Sequence, residues 1–484
     1  MNTETNFKGE SKYLPYEPKM EPTPPNTLNA KRTVLISLSF FTVLLAWSYF
    51  NFKVPLVLDE ILGANPLKDL IKGSIMAIDN ILAVILLPFF GDLSDRIKSK
   101  MGRRMPFIII GTTSAAVFFI IIPWVRILAG LILIIFLFDL AMSIYRSPSI
   151  AILPDYTSET VYSKASSIQQ FTANMGGLFA FIIPIVMDSL QNSLSAAWFD
   201  ALGFLVISII MILLVVVQII KLKETPTGEK FFQISHNRFE IDPLTFKARE
   251  IIIHKEKPGD SRKISGSYHE FIEIIKSHKD FAYFLATIVF MYLAFASVES
   301  FFSSFAVSYF NITEGAAGTL FLAYSGSMIF SAIFVGMLGQ NKRVGRKNAV
   351  KIFLTWLIIS LLIMAVIVVP MTYHNHNSLL TIIVLVLVAI PWMGFIVNSF
   401  SILWALAPKD KTGIYTGMYY TFNQAAYALA PILFGGILSV FINLGDYRYI
   451  IMFPFILVLV IIAYAFFFKV KGGNSGSKEK EFKT

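Results

Sequence analysis

No cysteine occurs in the sequence, which excludes disulfides, thiolate metal sites and thiol catalysis. Charge is scarce as well: Asp, Glu, Lys and Arg make up 15% of the residues against 55% hydrophobic ones, a balance that no ordinary soluble core needs. Histidines number six, and the His374-Asn375-His376 triplet falls in a predicted loop with no further ligands close in sequence. A solvated loop explains it better than a metal site, and no cofactor is expected. There is no Walker loop, no H-E-x-x-H and no credible Ser-His-Asp or paired-acid arrangement facing water, so an enzyme is not expected. Residues 1–30, with their prolines, lysines and glutamates, read as a disordered tail. They do not read as a cleaved signal, because the first apolar run is too long and too far from Met1.

Apolar sequence is what the chain has in abundance. Windows of about 20 apolar residues, the length a helix needs to cross hydrocarbon, occur twelve times, near 33–52, 69–90, 106–125, 127–153, 165–187, 199–220, 281–304, 315–338, 349–370, 378–406, 412–440 and 446–469. The chain is therefore expected to be an all-α integral membrane protein. Lys and Arg gather on one side of these runs, at Lys31 and Arg32, in the 91–104 loop, in 221–280, from Lys342 to Lys351, at Lys409 and Lys411 and in the tail. The other side carries few, chiefly Lys53, Lys68, Arg126 and Arg448. By the positive-inside rule both termini are cytoplasmic, in a multi-pass protein of the cell membrane. The net charge of +10 follows this topology and the anionic inner leaflet, so lipid and not nucleic acid is the expected partner.

The 60 residues from Lys221 to Asp280 divide the runs into six and six. The expected organisation is a cytoplasmic tail over 1–30, a six-helix bundle over 31–220, a cytoplasmic loop over 221–280, a second bundle over 281–470 and a tail over 471–484. The loop is polar and short, with at most an amphipathic helix near Glu270 to Ile275, which argues against a sensor with a folded soluble domain. An internal repeat joins the halves. Ser147 to Gly177, SPSIAILPDYTSETVYSKASSIQQFTANMGG, and Asn398 to Ala428, NSFSILWALAPKDKTGIYTGMYYTFNQAAYA, each run Ser-Ile, Pro, Asp, a tight inner turn and then an Asn in the next helix. Arg343 to Lys347 weakly echoes Arg96 to Arg104. Two similar six-helix halves place a site between them near the midplane, in a protein expected to act as a monomer.

The stretch GDLSDRIKSKMGRRMPF, Gly91 to Phe107, separates the second and third runs. Gly91 allows two helices to approach closely, Asp95 can accept hydrogen bonds from a neighbouring helix start, and Arg96, Arg103 and Arg104 stay on the positive side. The spacing, with Gly102 before the arginine pair, resembles the loop between helices 2 and 3 of the major facilitator superfamily, G-x-x-x-D-R-x-G-R-R. Its longer insert and following Pro-Phe resemble the glycoside-pentoside-hexuronide:cation symporters, especially the sucrose/proton symporters and their bacterial relatives. The resemblance implies two pseudo-symmetric six-helix bundles working by alternating access, and a gating role for this loop.

Charges inside the membrane are costly unless paired or hydrated, so the few present are informative. Asp139 sits mid-membrane in helix 4, with Arg146 seven residues later on the same face and about 10 Å nearer the cytoplasm. A structural Asp139–Arg146 pair is the competing reading. The intervals from Asp139 to Pro148 and Asp155 match those of the plant sucrose symporters, and the melibiose symporter has a helix 4 acid here, which together imply that Asp139 is the cation-coupling carboxylate. Asp79 and Asn80 lie at mid-depth in helix 2, where an acid can bind a proton, a cation or a hydroxyl-rich ligand. The helix 2 acid pair of the melibiose sodium site aligns with Ala83 and Leu87 here, which leaves the proton as the expected coupling ion and sodium as the alternative.

Ser166, Gln170, Asn174 and Gly177 form a polar stripe on helix 5, and Gln169 stands where the melibiose symporter carries a sugar-binding arginine. Helix 11 mirrors the stripe with Thr416, Tyr419, Tyr420, Asn423 and Gln424. Amides and hydroxyls suit sugar hydroxyls, and they also serve as polar glue between helices. Glu299 in helix 7 and Asn398 in helix 10 are weaker candidates, and the 45 phenylalanines are expected mostly as lipid-facing bulk. Proton-coupled symport of a sugar such as sucrose or maltose is the expected function, ahead of sodium coupling and of export of a sugar or another small solute. Because the chain has no cysteine of its own, a cysteine placed at Asn375 is expected to react with a membrane-impermeant maleimide from outside, and one at Ser265 only from inside; reversed accessibility would refute the topology.

Overall fold

The computed structural model describes residues 28–96, 99, 101, 104–157, 162–190, 195–222, 238–241, 248–251, 264–341, 343–373, 378–408 and 412–472. Among the described residues are twelve helices long and apolar enough to cross a membrane, one for each apolar run in the sequence. In hydrocarbon no water is present to take up backbone polar groups, so helices that satisfy their own are the outcome such runs impose. The first six are α1 (Ala30–Leu62), α2 (Lys68–Arg96), α3 (Met105–Ile121), α4 (Leu128–Tyr156), α5 (Tyr162–Asp188) and α6 (Ala196–Lys221). The second six are α7 (Lys279–Ser304), α8 (Glu314–Gln340), α9 (Gly345–Ile363), α10 (Ser378–Leu406), α11 (Thr412–Val440) and α12 (Met452–Lys469).

Local sequence fixes several ends. Asn29 caps α1 by accepting from the Arg32 amide, and Thr313 caps α8 by accepting from the Ala316 amide. Gly63, at φ +51°, terminates α1 and donates its N–H to the Asp59 carbonyl. The apolar run had placed the end of helix 1 at residue 52, but the helix continues ten residues further, through Lys53 and Pro55. Lys53 reads in the sequence as a loop charge, yet it is almost wholly buried and neutralised by two carboxylates.

The halves pack by one scheme. In the first, α1 lies against α5, α2 against α4 and α3 against α6; in the second, α7 lies against α11, α8 against α10 and α9 against α12. Across the boundary α2 meets α11 and α5 meets α8, the pairing a two-fold relation between the bundles requires. Each half has its own core: Phe50, Phe119, Phe138 and Phe204 are central in the first, Phe305, Tyr309 and Phe453 in the second. Between the halves, Arg238–Ile241 and Ala248–Ile251 form a small antiparallel ladder, followed by a helix over Ile264–Ser277. The sequence pointed to that helix only near 270–275 and not to the ladder.

At the boundary α2 and α11 touch backbone to backbone. A β-carbon at Gly73 would collide with the Pro431 carbonyl, and one at Gly435 with the Asp69 carbonyl. Gly435→Leu is therefore expected to destabilise the protein by roughly 1–3 kcal/mol, seen as a lower melting temperature. Gly417→Leu on the same helix, where a β-carbon meets nothing within 4 Å, is expected to leave it unchanged.

Candidate functional site

Four charged side chains gather where the halves meet at mid-depth. Both carboxylate oxygens of Asp139 on α4 are buried with no hydrogen-bond partner among the described residues. Asp79 on α2 accepts from the Asn80 amide at 2.8 Å through Oδ1, while its buried Oδ2 has no such partner. Asp79 feels the charges of Arg146 and Glu299, and Asp139 feels that of Asp79. Glu299 on α7 accepts from the Asn51 amide of α1 at 2.8 Å, a bond that crosses the two halves. Glu299, one of the weaker candidates from sequence, thus belongs to the centre, and Asn51 joins it without any signal in the sequence. Buried acceptors without donors are rare in proteins, and three of those among the described residues belong to this pair of acids.

Arg146 does not follow the pairing that helix periodicity allows. Its guanidinium lies over the Trp47 ring of α1, 5.3 Å from the centroid, and makes no ion pair among the described residues. Its electrostatic neighbours are the acids Asp79 and Glu299 and the tyrosines Tyr145 and Tyr427. Trp47 carried no signal in the sequence, since one aromatic in an apolar helix looks like core.

The polar stripes divide. On α5 the Gln170 amide donates to Asn174 at 3.1 Å and both stay accessible, whereas Gln169 is buried and donates to the Ser149 and Ile150 carbonyls of α4. On α11 the Tyr419 hydroxyl meets that of Tyr292 at 3.2 Å in the interior, Tyr420 is half exposed, and Asn423 Oδ1 is buried without a partner among the described residues. Asn398 lies apart from the cluster: it donates to the Val335 and Gly394 carbonyls, and a β-carbon at Gly339 would strike its amide oxygen. Its geometry is that of glue between α8 and α10.

In the loop after α2, Gly91 gives the expected close approach, since a β-carbon there would lie 2.9 Å from Ser147 Oγ of α4. Arg104 departs from expectation. It is buried, donating to the Gly91 carbonyl at 3.4 Å and to Ser94 Oγ, so it covers the end of α2 instead of standing on the basic surface. The backbones of Asp95 and Arg96 belong to the last turn of α2. Gly102, Arg103 and the His374-Asn375-His376 triplet lie outside the described residues.

The largest feature missed in the sequence is at the end opposite the basic loops. Lys53 of α1 binds Asp200 of α6 at 3.0 Å and Glu314 of α8 at 2.5 Å, and Arg126 continues the chain from Asp200 to Glu60, both at 2.9 Å. A second network starts at the neighbouring Asp59. Lys72 binds Asp59 at 2.7 Å and Asp69 at 3.3 Å, Asp69 binds Arg448 at 2.7 Å, and Ser304 of α7 donates to Asp59 at 2.5 Å. Beside them Phe52, Phe181, Phe302 and Phe321, from α1, α5, α7 and α8, pack with centroids 4.9 to 6.3 Å apart. These rings are buried, not lipid-facing. Between described residues, the hydrogen bonds and ion pairs that cross the halves all lie at this end or at Asn51–Glu299. The far end is closed by an aromatic plug flanked by ion pairs.

The sequence pattern of the Major Facilitator Superfamily matches residues 36–431. None of the curated protein sequences matches the chain. Among solved structures, a bacterial homolog of the human lysosomal transporter Spinster, inward-facing and unoccupied, superposes with a TM-score of 0.65 at 14% identity, over 91% of this chain and 97% of that one. A mutant of the nucleoside transporter NupG gives 0.64 at 14% identity, over 90% and 100%. A bacterial homologue of the iron transporter ferroportin, inward-facing, gives 0.62 at 13%, over 92% and 99%. At these identities the likeness concerns the fold.

Removing Lys53 leaves Glu314 without its cation and Asp200 with Arg126 alone, and breaking a buried pair from one side costs about 3–5 kcal/mol. Lys53→Gln is expected to open the far end and raise several-fold the labelling of a cysteine at Asn51 by an impermeant reagent added from that side. Unchanged labelling would show that the ion pairs do not hold the closure.

Proposed function

The chain belongs to the major facilitator superfamily, and from that premise we propose that this membrane transporter is a proton-coupled symporter of a polyhydroxylated solute, a sugar or glycoside. The observation that carries the reading is Asp139, a mid-membrane acid whose two oxygens have no partner among the described residues. An ionised carboxylate in that position is expensive and a protonated one is tolerated, so occupancy by a proton and occupancy of the dry site go together. A proton needs only one carboxyl, and neither Asp139 oxygen has a hydrogen-bond partner among the described residues, which favours the proton over sodium.

Around Asp139 the remaining groups take their roles. Asp79, Asn80, Arg146 and Glu299 offer charged and polar contacts at the boundary; Gln170 and Asn174 from one half and Tyr419, Tyr420 and Asn423 from the other supply amides, hydroxyls and ring faces for a solute rich in hydroxyls. The 2–3 loop, Gly91 with Asp95, Arg96, Gly102, Arg103 and Arg104, acts as the gating element on the basic side. That side is cytoplasmic in this reading, with both termini inside the cell membrane and the bundles spanning 31–220 and 281–470. The closed far end then makes this an inward-facing state. The resemblance of the Gly91 to Phe107 stretch to the glycoside-pentoside-hexuronide:cation symporters supports a sugar as substrate and a single chain as the working unit.

Asp139→Asn imitates the protonated acid permanently. Proteoliposomes carrying it are expected to lose uphill, proton-driven accumulation of labelled sucrose or maltose yet keep exchange of one sugar molecule for another. Asp79→Asn is expected to weaken affinity more than coupling. Accumulation by Asp139→Asn with unchanged pH dependence would move the coupling role elsewhere, and failure of wild-type counterflow with every sugar tried would sink the glycoside reading.

A further inference from the structure

Among the described residues Arg146 is the one cation of the central cluster, and its position there is not the default for its place in sequence. It lies seven residues after Asp139 on the same helix face, about 10 Å along the axis. Long side chains on a helix lean toward its N-terminus, which here means toward Asp139. The guanidinium instead sits on the face of Trp47, on a different helix. That ring is itself fixed by packing, stacked on Phe50 at 6.1 Å, and Phe50 is stacked on Phe138, the residue before Asp139, at 5.3 Å.

Among the described residues the surroundings of Asp139 contain no other cation to replace Arg146. Of the helices packed against α4, α2 contributes Asp79, while its Lys72 is held by Asp59 and Asp69 at the far end and its Lys68 and Asp92 lie near its two ends, and α3 has no titratable residue. On α1, Tyr49 and Lys53 face Asp200 and Glu314, and α5 carries Lys164 and Asp188 only near its two ends. On α4 itself the Tyr145 hydroxyl donates to Met142 Sδ at 3.2 Å. From α7, Glu299 acts on Asp79. Whether Asp139 has a counter-ion is thus decided by where the Arg146 side chain rests.

We propose that Trp47 is a positioning residue: its ring holds the Arg146 guanidinium toward Asp79 and Glu299 and away from Asp139, so that the proton-carrying acid has no resident counter-ion in this state. The proposal rests on the coupling role given to Asp139 above. A permanent Asp139–Arg146 pair would keep the acid charged and leave nothing for a proton to do; stacking on Trp47 prevents that pair without removing the cation from the site. A flat aromatic face is required, and an aliphatic side chain of similar volume does not substitute for it.

The test needs no sugar. Infrared spectra of the full-length protein in liposomes at neutral pH report protonated carboxyl groups, and the Asp139 band is identified by its loss in Asp139→Asn. The band is expected in the wild type and in Trp47→Phe, to fall several-fold in Trp47→Leu as Arg146 swings to Asp139, and to return in Trp47→Leu combined with Arg146→Gln. Return in the double variant separates repositioning of the cation from damage to the fold. An Asp139 band that survives Trp47→Leu at wild-type strength, or that is absent from the double variant as well, overturns the role of Trp47 and leaves the coupling reading standing. A wild-type spectrum with no Asp139 band overturns both.

Discussion

A lysine inside a membrane helix has to find carboxylates before it can remain there, and Lys53 finds one on each half of the molecule. That requirement organises the whole far end. Because Glu314 belongs to α8 and Asp200 to α6, satisfying one buried ammonium draws the two bundles together, and the aromatic rings of Phe52, Phe181, Phe302 and Phe321 fill the space between the helices so joined. Such ion pairs add little net stability compared with an apolar interface, since desolvation offsets most of the attraction. Their value lies in the alternative: once parted, each charge must be hydrated, so the far end is either shut and dry or open and wet. A purely apolar closure would lack that sharp choice.

The central cluster obeys the opposite rule. At the far end every buried charge named in the two networks has a partner, whereas at mid-depth Asp139 has none among the described residues and Asp79 is half satisfied. A protein that could pair Lys53 and Lys72 so thoroughly has the means to pair Asp139 too, with Arg146 on the same helix. Leaving the acid bare while holding the arginine on Trp47 is consistent with a site that exchanges its occupant, and the contrast between the two layers separates structural charge from working charge.

Much of the architecture was legible because its signals are local. Apolar runs of membrane length gave all twelve spans, the Ser147 to Gly177 and Asn398 to Ala428 repeat gave the two-fold relation, and the spacing around Gly91 foretold a tight helix contact that Ser147 provides. The mid-membrane acids stood out for the same reason. The rest depended on contacts between residues far apart in sequence. Lys53, Arg126 and Arg448 looked like the sparse charges of an outer side, because nothing near them in the chain shows that Asp200, Glu314 and Asp69 lie opposite. Trp47, Asn51 and the four phenylalanines of the plug are ordinary residues of apolar helices until partners on other helices give them geometry. Asn398 misled in the other direction, since an amide in an apolar helix has the same appearance whether it waits for a ligand or binds a neighbouring backbone.

Asp59 and Glu60 are consecutive residues near the end of α1, and each anchors a different network, one leading to Lys72 and the other to Arg126. Adjacent positions on a helix point about 100° apart, so the final turn of α1 is a single stiff spindle with a lever on two sides. Any displacement of that turn is therefore felt on both sides at once, and a shift that strains one network strains the other.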